Sequence, residues 1–397
     1  MAKTQVFDQA DNIRTPFLRG ILTRSLTDAG MAFDTAYKLS SDIREQINNV
    51  DEITTEELRQ IVISELQKMD EKEVMENYEA INTAATNIMV RNRKNNLAPF
   101  SIIRHRRSLE SSGLDTDRAA YITQNVYKEL AESYQDAIST NQIGRLTFEK
   151  LRQHYGKEAA RRYLVWVDYK HSQRPLILLI GGTTGSGKST IATEVAHRLN
   201  IIRTQSTDML REVMRMMVPV KLLPELHTSS FNAWREVPGS SELKESPEER
   251  MIHGYIHQAE LVSVPCEAVI QRALNEQVSL IVEGVHVSPA LVNRFREEKS
   301  AVIVPIMLAV LKQERLKNQL KDRGVSAPER DAQSDYLSNF ESIWMLQSHL
   351  LSEADNNAIP IVANNDMDKT TDRVMRSIIE VLQEDFHANV DEIFGPD

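Results

Sequence analysis

The stretch from Leu176 to Leu199 constrains this chain most, because it joins an apolar run, a glycine-rich loop and a helical pattern. Leu176 to Ile180 is uninterruptedly apolar, and Gly182 to Ser189 fits the pattern G-x-x-x-x-G-K-[ST]. Glycines let successive backbone N–H groups point into one cavity, where they and the positive end of the following helix hold a phosphate. A loop that merely connects a strand to a helix is the alternative, which this combination of strand, spacing and helix disfavours.

The loop predicts ATP and Mg²⁺ as cofactors. Lys188 supplies a mobile cation for the γ-phosphate, and the hydroxyl of Ser189 is placed to ligate Mg²⁺. The predicted nucleotide-binding residues are Gly182, Thr183, Thr184, Gly185, Ser186, Gly187, Lys188, Ser189 and Thr190.

Composition excludes several classes of protein. The single cysteine, Cys266, excludes an intrachain disulfide framework and suits a reducing cytoplasm, where we expect the protein. No run reaches the roughly 18 apolar residues of a membrane-spanning helix, and the N-terminus lacks the apolar core of a secretion signal. The net charge of −10 argues against nucleic acid as a partner, while a homo-oligomer is compatible with all of these observations.

A sequence repeat precedes the phosphate loop. Residues 15–36 align without gaps on residues 98–119, and after a two-residue insertion the match resumes up to Tyr78 and Tyr163. Apolar residues at helical spacing predict a small helical bundle in each copy, with a short strand or hairpin before each Pro-Phe pair. Gly30 and Gly113 stand where a helix would stop.

The two copies differ in charge. Between Ile88 and Leu109 the second copy contains six cations and no acid. Such a segment can neutralise a polyphosphate, although a solvated surface fits equally well on charge alone and double-stranded DNA is a third, disfavoured ligand. The candidate residues for a regulatory nucleotide are Arg91, Arg93, Lys94, Arg104 and Arg107.

After residue 172 the pattern alternates between strand and helix, which predicts a mostly parallel sheet with helices on both faces. Beyond the strand of the phosphate loop, strands are predicted at Ile201 to Gln205, Ser279 to Glu283, Ala301 to Leu308 and Ala358 to Val362. Ligands of such sheets bind beyond the carboxyl ends of the strands.

Asp208 follows the second of these strands and is a candidate to orient an acceptor hydroxyl. A helix N-cap is the alternative for this residue. Arg211 and Arg215 come next at helical spacing and could grip an anionic acceptor, with Arg211 favoured because it lies one turn from Asp208.

Glu283 ends the third strand, where a buried acid beside a phosphate loop suggests a metal ligand or a general base. A structural ion pair is the alternative. His286 could touch the substrate, but a lone histidine is more often structural.

The segment between Val218 and Glu249 is rich in turn residues and hydrogen-bond donors, which suits a small acceptor with hydroxyl and acid groups. A packed surface loop is nearly as plausible. Its candidate acceptor-binding residues are His227, Ser229, Ser230 and Arg235.

Cations follow the fourth strand in a predicted helical lid. Arginines of such lids stabilise the charge on a transferring phosphoryl group, and Arg323 and Arg330 are the candidates, while Lys312, Arg315, Lys317 and Lys321 are expected to include solvated positions.

The repeated segments resemble the ATP-cone, a regulatory nucleotide-binding module. The residues that carry this resemblance are Val90 to Lys94 followed by Pro99-Phe100, and Pro16 to Leu26. The resemblance implies that basic residues near the start of each copy contact nucleotide phosphates. Asn95 stands where a glycine is usual, and the first copy lacks the basic pair.

The downstream motifs resemble the 2-phosphoglycerate kinase family. They are Gly181 to Ala192, Thr207 to Arg215, Ser229 to Phe231 and Ile281 to His286. The resemblance implies an α/β fold, with a P-loop kinase domain and a mostly parallel sheet, over residues 173–397, preceded by two tandem ATP-cone-like modules over residues 1–85 and 86–172.

It further implies transfer of the γ-phosphoryl group of ATP to 2-phosphoglycerate, giving 2,3-bisphosphoglycerate, under control by a regulatory nucleotide. Two functions remain as alternatives. One is a nucleotide-sensing switch protein that binds a macromolecular partner; the other is a kinase for another hydroxy acid, a sugar acid or a nucleoside.

Overall fold

The computed structural model describes residues 4–8, 13–17, 19–48, 50–72, 74–75, 77–78, 88–93, 95–132, 137–237, 246–326 and 336–395. The chain divides into two compact units, residues 1–106 with 120–150, and residues 107–119 with 151–397. No helix in the described ranges is long and apolar enough to cross a bilayer.

The first unit contains two small sheets of the same topology, each an antiparallel hairpin joined by a parallel third strand. The strands are β1 (Gln5–Asp8), β2 (Ile13–Pro16), β3 (Glu52–Thr54), β4 (Met89–Arg91), β5 (Leu97–Pro99) and β6 (Ile138–Ser139). The predicted hairpins before each Pro-Phe pair are therefore present. The helices of this part of the chain are α1 (Arg19–Asp28), α2 (Phe33–Gln46), α3 (Thr55–Lys68), α4 (Ile102–Ser111), α5 (Thr116–Glu132) and α6 (Thr140–Ser172).

Local sequence signals set these helix ends. Thr54 and Glu57 form a reciprocal capping box at the start of α3, which satisfies two backbone N–H groups that the helix leaves unpaired. Gly30 and Gly113 have φ angles of +104° and +86° just beyond α1 and α4, a conformation that glycine adopts without a Cβ clash.

The second unit is built on a five-stranded parallel sheet in the order β11-β10-β7-β9-β8. Its strands are β7 (Leu176–Gly181), β8 (Arg203–Ser206), β9 (Leu280–Glu283), β10 (Val302–Ala309) and β11 (Ile361–Ala363). All of the predicted strands are present, with ends shifted by up to three residues.

The helices of this unit follow the strands. They are α7 (Lys188–Leu199), α8 (Thr207–Met217), α9 (Pro247–Asn275), α10 (Pro289–Asn293), α11 (Gln313–Ser326), α12 (Phe340–Asn356), α13 (Met367–Asp385) and α14 (Val390–Phe394).

The sheet separates two apolar layers. Ile177 and Leu179 of β7 point into a core with α9 and α12, whereas Leu176, Leu178 and Ile180 point into a core with α7 and α13. Side chains alternate across a strand, so a β7 that is apolar at every position is buried on both faces. This confirms the predicted parallel sheet with helices on both sides.

The end of α6 packs into the second of these cores. Tyr169 meets the ring of Phe386 edge-on at 5.7 Å between centroids, and Trp166 is 4% exposed in the same cluster. The compact unit therefore begins well before residue 172. The division at residues 85 and 172 stays a prediction.

Candidate active site

The phosphate loop occupies the carboxyl end of β7 and leads directly into α7. Gly187 precedes the helix with φ +85°, and a Cβ there would lie 2.3 Å from the amide nitrogen of Asn364. Only glycine combines this left-handed backbone with so close a neighbour. The loop amides and the start of α7 thus lie together at the sheet edge, as an anion-binding loop requires.

Lys188 lies folded over the loop. Its Nζ donates a hydrogen bond to the Thr183 carbonyl at 2.8 Å, and the residue is 7% exposed. This position holds the ammonium group close to the loop amides, where it can contact the terminal phosphates of a bound nucleotide.

Ser189 and Glu283 form the oxygen pair of the site. The Ser189 hydroxyl donates to Oε1 of Glu283 at 3.0 Å, and Glu283 is 6% exposed. β9 lies beside β7 with Glu283 opposite Ile180, so the strand pairing itself delivers the carboxylate to the loop. No lysine or arginine of the described chain forms an ion pair with Glu283, so the structural ion pair considered for it is absent from the described residues.

A cleft of about 500 Å³ opens beside the loop. Its lining includes Lys188, Ser189 and Thr190, together with Arg315 and Gln319 of α11 and Asn364 and Met367 near β11. The guanidinium Nε of Arg315 is buried without a hydrogen-bond partner. A triphosphate in this cleft would meet the loop and the Arg315 side chain at once.

Asn364 was not among the residues expected from the sequence, and Arg315 was named only in a group of cations expected to include solvated positions; both line the cleft. Asn364 donates to the Ser186 carbonyl at 2.9 Å and accepts from the Thr370 hydroxyl at 3.2 Å, which ties the loop to the last strand. Its place directly after β11 was the available signal, since residues after strand ends face the ligand.

The two lid candidates cannot be located. Arg330 lies outside the described residues, and Arg323 belongs to α11 but its side chain is not among those described. Their role stays a prediction.

Asp208 is the second residue of α8, and Ser206 is the N-cap. The N-cap alternative for Asp208 therefore does not hold. Its side chain is 51% exposed, and Oδ1 lies 3.9 Å from Nδ1 of His286. The carboxylate is open to a ligand at the carboxyl edge of the sheet.

His286 is a fully buried link in a hydrogen-bond chain. Nδ1 lies 3.0 Å from the Thr207 hydroxyl and Nε2 lies 3.0 Å from Oε1 of Gln258. Gln258 donates its own N–H groups to the carbonyls of Glu225 and Thr228, so its oxygen accepts and His286 must carry its proton on Nε2. Burial lowers the pKa of His286 to about 4, against the opposing effect of Asp208, and the ring is neutral at pH 7.

Arg211 and Arg215 have different surroundings in the structure. Arg211 is 16% exposed and donates to the Thr228 carbonyl, while its buried Nε has no partner. Arg215 pairs with Glu212 at 3.2 Å on the surface. The preference for Arg211 as an acceptor residue thus has geometric support, and a site role for Arg215 stays a prediction.

The other predicted acceptor residues lie in a compact segment. Nε2 of His227 lies 3.0 Å from the Val218 carbonyl, Ser230 is buried, and Arg235 donates to Oδ1 of Asn339 at 3.4 Å. The carbonyl of Ser229 accepts from the amide of Asn232 at 2.8 Å. Contacts with the sheet edge and α9 hold this segment in place, as the hydrogen bonds from Gln258 show.

In the second repeat, Arg91, Arg93 and Arg104 are exposed in the first compact unit, whereas Arg107 belongs to the second unit. Lys94 lies outside the described residues. Beside Arg104, the half-buried ring of His105 lies between the hydroxyls of Thr123 and Thr147 at 3.0 and 2.9 Å.

Comparison with known proteins gives concordant results. The ATP cone domain family matches residues 9–82 and 88–172. The chain is 37% identical to the 2-phosphoglycerate kinase of Pyrococcus furiosus over 282 residues, 71% of this chain and 90% of that protein. It is 35% identical to the enzyme of the same name from Thermococcus kodakarensis over 286 residues, 72% of this chain and 94% of that protein.

A crystal structure of shikimate kinase from Bacteroides thetaiotaomicron shares 15% identity, with a TM-score of 0.24 over 53% of this chain and 98% of that one.

The parallel sheet, the phosphate loop and the upstream modules define a P-loop kinase with ATP-cone domains. More particularly, the chain belongs to the 2-phosphoglycerate kinase family.

Proposed function

We propose that this protein transfers the γ-phosphoryl group of ATP to the free hydroxyl of 2-phosphoglycerate, giving 2,3-bisphosphoglycerate and ADP. The observation that carries the proposal is the shared sheet edge on which the phosphate loop, Asp208 and Arg211 meet, in a chain of this family. A nucleotide-binding fold alone would need neither an exposed carboxylate nor an arginine whose buried Nε has no partner.

Different residues of this chain bind ATP and the acceptor. The loop amides and Lys188 hold the triphosphate. Asp208 orients the acceptor hydroxyl and takes the hydroxyl proton while the acceptor oxygen attacks the γ-phosphorus. The bond from that phosphorus to the bridging oxygen breaks, and ADP leaves. Arg211 binds an anionic group of the acceptor, with His227, Ser229, Ser230 and Arg235 as further contributors and Arg323 and Arg330 as proposed lid cations.

Ser189 and Glu283 fit Mg²⁺, because both offer oxygen atoms within hydrogen-bond distance of one another at the phosphate loop. When bound, the ion would offset the negative charge of the phosphate groups. We also propose that the upstream modules bind a regulatory nucleotide through Arg91, Arg93, Lys94, Arg104 and Arg107, and that the protein works in the cytoplasm.

The test is an acceptor screen with ATP and Mg²⁺ and a product assay by phosphorus NMR. ADP release that depends on 2-phosphoglycerate and yields 2,3-bisphosphoglycerate supports the proposal. Release that depends on another acid, or that needs no acceptor, contradicts it.

A further inference from the structure

Three buried N–H donors around the acceptor segment have no acceptor. They are Nε of Arg211, Nε1 of Trp234 and Nε of Arg250, and each lacks a hydrogen-bond partner in the described structure. Buried donors are almost always paired, because an unpaired one loses its hydrogen bonds to water without replacement. Three of them around one segment indicate a ligand that supplies oxygen atoms.

Arg250 and Arg235 share one aromatic ring. Their guanidinium carbons lie 5.9 and 5.4 Å from the centroid of the Trp234 ring. Within the described residues, neither arginine forms an ion pair with a carboxylate. The adjacent Glu249 is engaged elsewhere, since its carboxylate accepts from the Ser246 amide in a capping box. Two cations beside one ring, neither paired with a carboxylate of the described residues, can both contribute to binding an anion.

Helix α9, which bears Arg250, fixes the position of the segment that contains Trp234. Arg250, Gly254 and Gln258 are spaced by four residues and lie on one face of α9. A Cβ on Gly254 would lie 2.2 Å from the Cα of Trp234, so the helix and the segment are in direct backbone contact. Gln258 then fastens the same segment through the carbonyls of Glu225 and Thr228.

The cluster is also close to the phosphate loop. Arg235 donates to Asn339 at 3.4 Å, and Thr183 of the loop donates to the Ile343 carbonyl at 3.4 Å. Asn339 and Ile343 are four residues apart at the start of α12, a separation of about 6 Å. Arg235 and Thr183 of the loop thus contact neighbouring turns at the start of the same helix.

We propose that Arg250, Trp234 and Arg235 form the subsite for the phosphate group that the acceptor already carries, with Arg250 as a residue that determines specificity for phosphorylated acids. Two guanidinium forks and an indole N–H suit a phosphate dianion. The inference rests on the proposed function, because 2-phosphoglycerate carries this phosphate besides its carboxylate.

The test compares full-length Arg250→Met with Arg272→Met, a control on the exposed face of the same helix, whose arginine pairs with Glu276. Loss of a charge-assisted contact to phosphate should raise the KM for 2-phosphoglycerate by roughly 30- to 100-fold and leave the KM for ATP within about twofold. The preference for 2-phosphoglycerate over glycerate, measured as the ratio of kcat/KM values, should fall by a similar factor. The control should match the wild type.

Two further variants exclude a folding artefact. Arg250→Lys retains the charge without the planar guanidinium group and should show an intermediate KM. Trp234→Phe retains an aromatic ring but lacks the indole N–H, and it should raise KM several-fold. Circular dichroism spectra should match the wild type in all cases. An Arg250→Met enzyme with unchanged acceptor KM and unchanged preference overturns the subsite while leaving the proposed function intact. A wild type that turns over glycerate but not 2-phosphoglycerate overturns both.

Discussion

The Ser189 hydroxyl donates a 3.0 Å hydrogen bond to the carboxylate of Glu283, although the two residues are 94 positions apart in the chain. The pairing of β9 with β7 brings them together at the end of the phosphate loop. A hydroxyl and a carboxylate are oxygen ligands of the kind that Mg²⁺ prefers, which is why we propose this pair as the metal site.

Glu283→Gln tests that oxygen pair. The amide keeps an oxygen that can accept from Ser189 but removes the charge that favours a divalent cation, so we expect kcat to fall by about 100-fold or more and the half-saturating Mg²⁺ concentration to rise. Steady-state kinetics over a Mg²⁺ titration measures both. Glu276→Gln, an exposed acid in the same unit, is the control; an unchanged Mg²⁺ titration for Glu283→Gln would remove this residue from the metal site.

Lys188→Ala tests the phosphate loop. The substitution removes the ammonium group that reaches the nucleotide phosphates, and we expect turnover to fall by at least about 1,000-fold. The fold should persist, because the lysine side chain adds nothing to the apolar cores; thermal unfolding checks this. Turnover retained by the folded variant would refute the assignment of the loop as the catalytic nucleotide site.

Gln258→Leu tests the hydrogen-bond chain through His286. The substitution removes the hydrogen bond to the Glu225 carbonyl and one of the two to the Thr228 carbonyl, which also accepts from Arg211. The acceptor segment is then held less firmly, so we expect the acceptor KM to rise about tenfold with the KM for ATP unchanged. An equal effect on both substrates would instead indicate a general loss of folding. Gln271→Leu, on the exposed face of the same helix, should behave as the wild type.

His105, half-buried in the second repeat, predicts that the stability of this repeat falls in acid. Burial lowers the pKa of His105 to about 4, whereas histidine in an unfolded chain titrates near 6.5. Between these values the unfolded chain binds a proton that the folded one does not, so stability is complete above pH 6.5 and falls as the pH drops towards 4. At pH 5 the loss is about 2 kcal/mol.

Urea unfolding from pH 7.5 to 5 measures this effect. The first repeat supplies the control, because Leu22 and Val62 occupy the positions of His105 and Thr147 there. A chain with His105→Leu and Thr147→Val should lose less stability in acid than the wild type. If the free energy of unfolding falls equally with pH in the two proteins, other groups cause the acid sensitivity.

Arg91→Ala combined with Arg93→Ala tests regulation. Both side chains are exposed, so the folded structure and the basal rate should persist while the response of the rate to added ATP or ADP weakens. This test is sharper than removal of residues 1–170, since that deletion would take away Trp166 and Tyr169 from the core of the kinase unit. Arg44→Ala in the first repeat is the control, and an undiminished response would reject this nucleotide site.

Much of the fold could be read from the sequence because its signals are local. The apolar run of β7, the glycines of the phosphate loop, the repeat and the capping residues each act through neighbouring residues, and the structure contains the corresponding elements. The strand-end rule also directed attention to Asp208 and Glu283 before any geometry was known. The same rule, applied to the last strand, would have found Asn364.

The sequence by itself therefore determined the phosphate loop, the parallel sheet and the duplicated modules. Only the tertiary structure decided which long side chains turn towards the site. Arg211 and Arg215 carry the same pattern signal, yet one is buried against the Thr228 carbonyl and the other pairs with Glu212. Arg250, Trp234 and Arg315 come from separate parts of the chain, and the direction of a flexible cation depends on packing between elements that no local pattern records.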